Sequence, residues 1–434
     1  MCSILLTNKE IHNFDQVNYY LKFRGPDDTS TYHQGNITFV HNLLSICGEF
    51  TPQPFIENQI VAMHNGEIYN YGDYKSDGYS LIPKYNEYGE LFTTQLDGEF
   101  AVALVDFLND TLILSTDVFA TKPLWYAIDG DKFGVSSYRT PLENLGFVSP
   151  IKIPANTILK INLKTLEVVN LGEVYTFDLH QHKTNFDDWT SAFEEAIYKR
   201  THKVREKIFI GLSSGYDSGA LACELSKQSV EYNTYTVLGK ENEDILRQRI
   251  KENAKLIQPT QFLYELAHNH IESKVEQFQY TICSSSSDYN EKWLRLHDDS
   301  GSNGLSVVCS NAINDGIKIY LSGMGADEIF SDYGFQGNKI YPHSNFGGLY
   351  PDDLSTIFPW NSFYGSSMES YLAKEEYVSG SYGIEGRYPF LDKNVVQEFL
   401  WLSAELKNSQ YKSVLDNYLT ENKYPYEKNR KIGF

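Results

Sequence analysis

The chain has 434 residues, room for two or three domains, and 41% of them are hydrophobic, which supports a sizeable core and excludes global disorder. Its formal net charge of −20 argues against a nucleic-acid partner, because phosphate binding needs a basic face. The five cysteines (Cys2, Cys47, Cys223, Cys283 and Cys309) form no C-x-x-C pair, so neither a zinc site nor a disulfide framework is indicated, and a reducing, cytoplasmic compartment fits. No apolar run approaches the ~18 residues of a membrane span, and the start, Met1 to Leu6, lacks the basic leader of a signal peptide.

Up to about residue 170 the chain reads as short strands, at 37–40, 60–63, 100–104, 112–115 and 157–161. Turn pairs such as Asn65-Gly66, Asp97-Gly98 and Asp129-Gly130 are expected to separate them, which suggests stacked antiparallel sheets. A polar stretch at 178–189 reads as a linker. Phe193, Ala196, Ile197 and Val204 then fall at helical spacing. A buried-type strand at 208–212, a helix at 220–225, a strand at 234–237, a helix-like run at 245–257 and a strand at 317–321 follow. Strands alternating with helices predict a parallel α/β sheet, with ligands at the carboxyl ends of its strands. The runs 284–287 and 300–304, rich in serine and glycine, read as flexible loops.

Cys2 is the first residue with chemical force. Removal of Met1 would leave Cys2 with a free α-amine beside its thiol, and an α-amine with a pKa near ~7.7–8.0 can take the thiol proton. The alternative is an arbitrary residue on a frayed end. Further motifs follow in order: Arg24-Gly25-Pro26-Asp27, then Asn65-Gly66-Glu67-Ile68-Tyr69-Asn70, then Ser76-Asp77. Ser213-Ser214-Gly215-Tyr216-Asp217-Ser218 directly follows a strand, as does Ser322-Gly323-Met324-Gly325-Ala326-Asp327-Glu328. Small residues at such a turn let backbone N–H groups approach an anion, and the next helix adds its positive end. No lysine follows Gly215, so the loop is not a Walker sequence. Residues 383–392 read Gly-Ile-Glu-Gly-Arg-Tyr-Pro-Phe-Leu-Asp, and the chain ends Arg430-Lys431-Ile432-Gly433-Phe434.

Taken together these motifs resemble the glutamine-hydrolysing asparagine synthetase (asparagine synthetase B) family over nearly the whole chain. The resemblance implies an α+β N-terminal-nucleophile (Ntn) glutaminase sandwich over residues 1–172, a linker at 173–189, and an α/β PP-loop synthetase domain, of the adenine nucleotide alpha hydrolase-like type, over 190–434. In that family the matching residues have roles that carry over as follows. Cys2 is the nucleophile, Asn65 and Gly66 form the oxyanion hole, and Glu67 and Asp77 hold the glutamine α-amino group. Leu212, Ser213, Ser214, Gly215, Asp217, Ser218, Val237, Ser322 and Gly323 bind ATP. Asp217 and Asp327 hold Mg²⁺, and Lys431 stabilises the adenylated intermediate. Asp117 and Lys122-Pro123-Leu124 resemble a further family segment, with Thr116 and Ala120 in place of its Arg and Gly.

Two positions depart from the pattern. Leu43 stands where the family has the arginine that pairs with the glutamine α-carboxylate, and His41, His64 and Lys75 are the nearby candidates to replace it. Met324 stands where asparagine synthetases have the glutamate that serves the acceptor and ammonia step. The resemblance implies asparagine synthesis from glutamine (or ammonia), ATP and aspartate, with AMP and pyrophosphate as products, no nucleic-acid or membrane partner, and room for a homodimer. Amidation of another carboxylate, intramolecular amide closure, and a non-enzymatic binding role are the other readings open at this point.

Overall fold

The computed structural model describes residues 2–239, 241–250, 254–258, 261–283, 291–341 and 343–429. The N-terminal part folds as two six-stranded antiparallel sheets. One runs, in spatial order, Ile151–Lys152, Trp125–Asp129, Lys132–Ser136, Ser3–Thr7, Ile37–Leu43, Asp28–Gln34. The other runs Val168–Gly172, Ile158–Asn162, Thr111–Thr116, Gly98–Asp106, Ile60–Ile68, Phe55–Glu57. Alternation along each strand decides which side chains meet. Ile4 and Leu6 of the first sheet join Val61, Met63, Ala101 and Ala103 of the second in one core. The intervening Leu5 and Val40, and Ala62 and Val102, turn to cores on the outer faces.

The Asp129-Gly130 turn closes a hairpin as the sequence predicts, with Asp129 opposite Lys132 and Gly130 at φ +59°. Asn65-Gly66 does not form a turn. Both residues lie inside the strand Ile60–Ile68, paired to Ala101 and Phe100. Gly66 has φ +123°, and a Cβ there would stand 1.8 Å from the Glu99 carbonyl oxygen. The glycine therefore serves close approach of two strands, not chain reversal.

Residues 173–186 carry no helix or strand beyond one bridge between Lys183 and Leu402. They are nonetheless anchored: Val174 and Phe177 are buried, and the Asp178 N–H donates to Gln397 Oε1 at 2.9 Å. Helix Asp187–Thr201 begins before the end of the expected linker, because Trp189 is an apolar anchor stacked on Phe193 rather than a linker residue.

The C-terminal part is built on a five-stranded parallel sheet in the order Ala254–Ile257, Tyr232–Val237, Lys207–Gly211, Ile317–Leu321, Glu385–Arg387. The chain moves to one side after Lys207–Gly211 and returns on the other with Ile317–Leu321, so those two strands flank the point where ligands bind in such sheets. The helix-like run at 245–257 is two elements. Helix Glu243–Arg249 is capped by Asn242, and Ala254–Ile257 is an edge strand parallel to Tyr232–Val237. Pairing to the open sheet edge overrides the local periodicity there. The small polar run at 300–304 is not a flexible loop but the start of helix Ser300–Asn314, whose N-cap Asp299 accepts from the N–H groups of Gly301 and Ser302. The run 284–287 lies outside the described residues. No helix among the described residues is long and apolar enough to cross a membrane.

Candidate active sites and the interface between them

Cys2 immediately precedes the strand Ser3–Thr7, and its backbone nitrogen donates to Asn65 Oδ1 at 3.0 Å across the two sheets. Asn65 Nδ2 is buried and has no partner among the described residues. The amide therefore holds the Cys2 nitrogen with its oxygen and keeps two N–H donors for a ligand. Burial pushes the Cys2 thiol up to about 11, so it does not ionise unaided at neutral pH. Its Sγ lies 4.0 Å from the Leu44 carbonyl oxygen. The Arg24 Nε–H donates to the Cys2 carbonyl at 3.2 Å, fixing the residue from its other side.

The two carboxylates expected to hold an α-amino group are both engaged. Asp77 accepts from His64 Nε2 and the Ile68 N–H at 3.0 Å and from the Gly78 N–H at 2.8 Å. Against its burial, these contacts hold its carboxyl below the ordinary range. Glu67 Oε1 lies 3.2 Å from Arg387 Nη2; burial, with Glu385 nearby, lifts Glu67 to about 8. Leu43 is a buried strand residue, so the family's cation is absent from that position. His41 does not replace it: burial lowers it to about 3, and its Nδ1 accepts from the Gln53 N–H, which keeps the ring neutral. His64 is committed to Asp77. Lys75 is exposed and pairs loosely with Glu49 at 3.5 Å.

The second group of residues gathers at the carboxyl ends of the parallel strands. Leu212 leaves the strand Lys207–Gly211, and its N–H donates to the Tyr235 carbonyl. Ser213 and Ser218 hydroxyls meet at 2.8 Å across the loop, which leads into helix Tyr216–Lys227. Val237 ends the neighbouring strand, opposite Ile257. Ser322-Gly323 follow the strand Ile317–Leu321, and a Cβ on Gly323 would stand 3.0 Å from Asp217 Cβ, so the two glycine loops touch.

Asp217 and Asp327 converge on one cation. Lys412 Nζ lies 2.6 Å from Asp217 Oδ1 and 2.7 Å from Asp327 Oδ1, almost fully buried, and Tyr411 donates to Asp327 at 3.1 Å. The convergence fits a cation site of the kind Mg²⁺ uses, one or two carboxylates completed by phosphate and water. No cluster of three or more His, Cys, Asp or Glu side chains that could hold a metal occurs among the described residues. Lys431 lies outside the described residues.

Four residues near these loops escape motif reading. Lys412 sits far along the chain from both aspartates. Arg249 donates to the carbonyls of Ser213 at 2.5 Å and Gly215 at 2.9 Å, shaping the loop from beneath. Glu241 accepts from the Ser214 N–H and hydroxyl at 2.6 Å, the donors an anion would use. Burial raises the Glu375 carboxyl above its ordinary range, and nearby Ser322 opposes that rise. Nothing in the sequence marks them: Arg249 stands between Arg247 and Lys251, and Lys412 looks like a surface charge.

Between the two groups lies a buried ionic seam. Arg24 Nη2 pairs with Glu376 Oε2 at 2.8 Å, and Lys122 Nζ with Glu376 Oε1 at 2.7 Å. Arg200 bridges Glu99 at 2.7 Å and Asp392 at 2.9 Å, while Arg387 pairs with Glu385 at 2.7 Å as well as with Glu67. Every one of these side chains but Glu67 is nearly inaccessible. Lys122, part of the segment that resembles a further family motif, is thus a tie between the antiparallel sheets and the helix Ser367–Gly380. Its neighbour Ala120, at φ +50°, occupies the left-handed backbone for which the resembling family uses glycine.

Comparison with known proteins bears on the two halves of the chain. The chain matches the model of the glutamine amidotransferase domain over residues 1–165 and that of asparagine synthase over 188–355. It is 26% identical to putative asparagine synthetase [glutamine-hydrolyzing] 1 of Methanocaldococcus jannaschii, over 91% of this chain and 75% of that protein. It is 23% identical to asparagine synthetase [glutamine-hydrolyzing] 2 of Bacillus subtilis (94% and 68%) and to asparagine synthetase B of Escherichia coli (89% and 71%). Among solved structures, glutamine phosphoribosylpyrophosphate amidotransferase from B. subtilis matches 61% of this chain and 70% of its own at 14% identity and a TM-score of 0.32, a likeness too slight to bear on function. Both domains are matched in order behind Cys2: the chain joins a glutamine amidotransferase domain to an asparagine synthase domain and is similar over 91% of its length to a putative glutamine-hydrolysing asparagine synthetase.

Proposed function

We propose that this protein is an ATP-dependent amidotransferase that releases ammonia from glutamine at Cys2 and uses it to amidate a carboxylate, aspartate in the leading reading. The observation that carries the proposal is Asn65, whose Oδ1 holds the Cys2 nitrogen while its buried Nδ2 is uncommitted. An amide donor aimed beside a nucleophile is what a developing oxyanion requires. With Met1 removed, the Cys2 α-amine would accept the thiol proton that burial otherwise retains.

At the second site Ser213, Ser214, Gly215 and Ser218, with Leu212, Val237, Ser322 and Gly323 around them, would hold ATP. Asp217 and Asp327, already converging on Lys412, would hold Mg²⁺, whose charge lowers the repulsion between the phosphates and an incoming carboxylate. The acceptor carboxylate attacks the α-phosphate, pyrophosphate leaves, and ammonia then displaces AMP from the acyl carbon. Lys431 is assigned to the departing pyrophosphate on its motif alone. Glu67 and Asp77 are assigned to the donor's α-amino group; Glu67 would exchange its contact with Arg387 for it. The domain limits 1–172 and 190–434 follow the same reading.

Met324 favours a second acceptor, a carboxylate with an apolar rather than a polar group beside it, since a thioether lines that part of the loop. Incubation of the pure protein with Mg-ATP, aspartate and either glutamine or ammonium, with assay of asparagine, AMP and pyrophosphate, tests both. Asparagine with stoichiometric AMP supports the leading reading. Pyrophosphate exchange with another acid, and none with aspartate, replaces it by the second. No exchange with any acid refutes both.

A further inference from the structure

The loop after the strand Lys207–Gly211 offers hydrogen-bond donors to an anion, and a carboxylate of this chain already uses them. Three backbone N–H groups line the turn at 213–215. Those of Ser213 and Gly215 are bonded within the loop, to Ser218 Oγ at 3.0 Å and Ser213 Oγ at 3.1 Å. The third, on Ser214, donates to Glu241 Oε2 at 2.6 Å, and the Ser214 hydroxyl donates to the same oxygen at 2.6 Å. Ser214 Oγ also accepts from the Asn242 N–H at 3.0 Å, which lays the segment after the strand Tyr232–Val237 against the loop. Asn242 caps helix Glu243–Arg249, and Arg249 at its far end returns to the loop, donating to the carbonyls of Ser213 and Gly215. We propose that Glu241 is a built-in competitor for the nucleotide phosphates: it fills the seat at Ser214, is displaced when ATP binds, and so sets the affinity for ATP. This rests on the reading of the loop as the ATP site.

A carboxylate oxygen and a phosphate oxygen are both anionic acceptors, and both take the same backbone and hydroxyl donors. They cannot share Ser214, because its two donors already converge on one oxygen and a second anion beside it is repelled. Glu241 can leave without opening the core. It is partly exposed, and it lies two residues from Gly239, which is exposed and whose missing side chain would meet nothing within 4 Å. What stays behind suits a phosphate. Arg249 is nearly inaccessible and donates to the carbonyls of Pro425, Ser213 and Gly215, while its Nη2 has no partner among the described residues. Its charge therefore stands under the loop whether Glu241 or a phosphate sits on the Ser214 donors. A ligand that needs an occupied seat binds more weakly by the fraction of molecules in which the seat is open. One charge-assisted bond at a partly exposed site keeps that fraction on the order of one in ten.

The test titrates inorganic pyrophosphate, in the presence of Mg²⁺, into the wild type, Glu241→Gln and Glu241→Ala by calorimetry. It also reads the ATP concentration that half-saturates acid-dependent ATP–pyrophosphate exchange. Glu241→Ala is expected to bind pyrophosphate on the order of tenfold more tightly than the wild type, with Glu241→Gln between them, because its neutral amide still bonds the Ser214 donors but less strongly. The half-saturating ATP concentration should fall by the same factor, since both ligands need the same seat. The sign separates this role from a structural one. A residue that merely shapes the loop loses affinity when removed, whereas a competitor gains it. Pyrophosphate bound equally or more weakly by both variants overturns the proposal. Tighter pyrophosphate binding by the variants without exchange in any of the three proteins supports the role of Glu241 and refutes the amidotransferase reading. Pyrophosphate and ATP bound by none of them refutes the ATP-site reading and the proposal together.

Discussion

Replacing Asn65 with alanine removes two things at once: the acceptor of the Cys2 nitrogen at 3.0 Å and the buried Nδ2 donor. Loss of one oxyanion donor costs about 10²–10³ in kcat, or roughly 2.7–4 kcal/mol of transition-state stabilisation. Loss of the bond to the nucleophile's nitrogen adds about 1.5–3 kcal/mol if that nitrogen is a charged amine. Glutaminase kcat is therefore expected to fall by at least ~10²-fold. Asn65→Asp separates the terms, because it keeps an acceptor for the nitrogen but loses the amide donors. Ammonia release from glutamine is the assay, with ammonium-dependent amide formation as the internal control, since the ATP loops are served by other residues. Glutaminase activity of Asn65→Ala within tenfold of wild type would refute the assignment, as would an equal fall in both activities.

Three further outcomes follow from the same geometry. Glu376→Ala leaves Arg24 and Lys122 buried without their shared carboxylate, so unfolding free energy should drop by about 3–5 kcal/mol in chemical denaturation, the usual cost of breaking one side of a buried pair. Lys412→Met leaves Asp217 and Asp327 facing each other; it should lower stability by a similar ~3–5 kcal/mol, and millimolar Mg²⁺ should raise its thermal midpoint more than it raises the wild type's. His41 is held neutral at about 3 in the folded state against an ordinary value near ~6.5, so the unfolded chain takes up a proton the folded one refuses. Its contribution is whole above pH ~6.5 and is lost as pH falls from there toward about 3; His41→Gln should flatten that part of the midpoint-against-pH curve.

The parts of this molecule legible in the sequence are those fixed by local pattern. The strand into Ser213-Ser214-Gly215, the strand into Ser322-Gly323, and the Asp129-Gly130 hairpin were each signalled by an apolar run ending in small residues. What pattern could not reach depends on partners far along the chain. Lys412 lies 195 residues from Asp217, and Arg24 lies 352 from Glu376. Such cations look like solvated charges until the fold brings them to their carboxylates. Asn65-Gly66 was misread as a turn because its dipeptide is the strongest hairpin signal, whereas here the left-handed glycine serves strand approach. The run through Ile245 and Ile257 misled because helix and edge strand share one apolar spacing when placed end to end. Met324 marks a loop position without a carboxylate, but nothing local in the sequence indicates which distant side chains pack around it.

The central claim is that nitrogen freed at Cys2 is consumed at the Asp217–Asp327 site within one protein. Glutamine carrying a heavy-nitrogen amide, supplied with Mg-ATP, the acceptor acid and an equal concentration of unlabelled ammonium, measures this directly through the isotope content of the amide product. The account predicts a product labelled well beyond the ammonium pool in solution, and an unlabelled product still formed by Cys2→Ala. A wild-type product no more labelled than the free ammonium pool would contradict it.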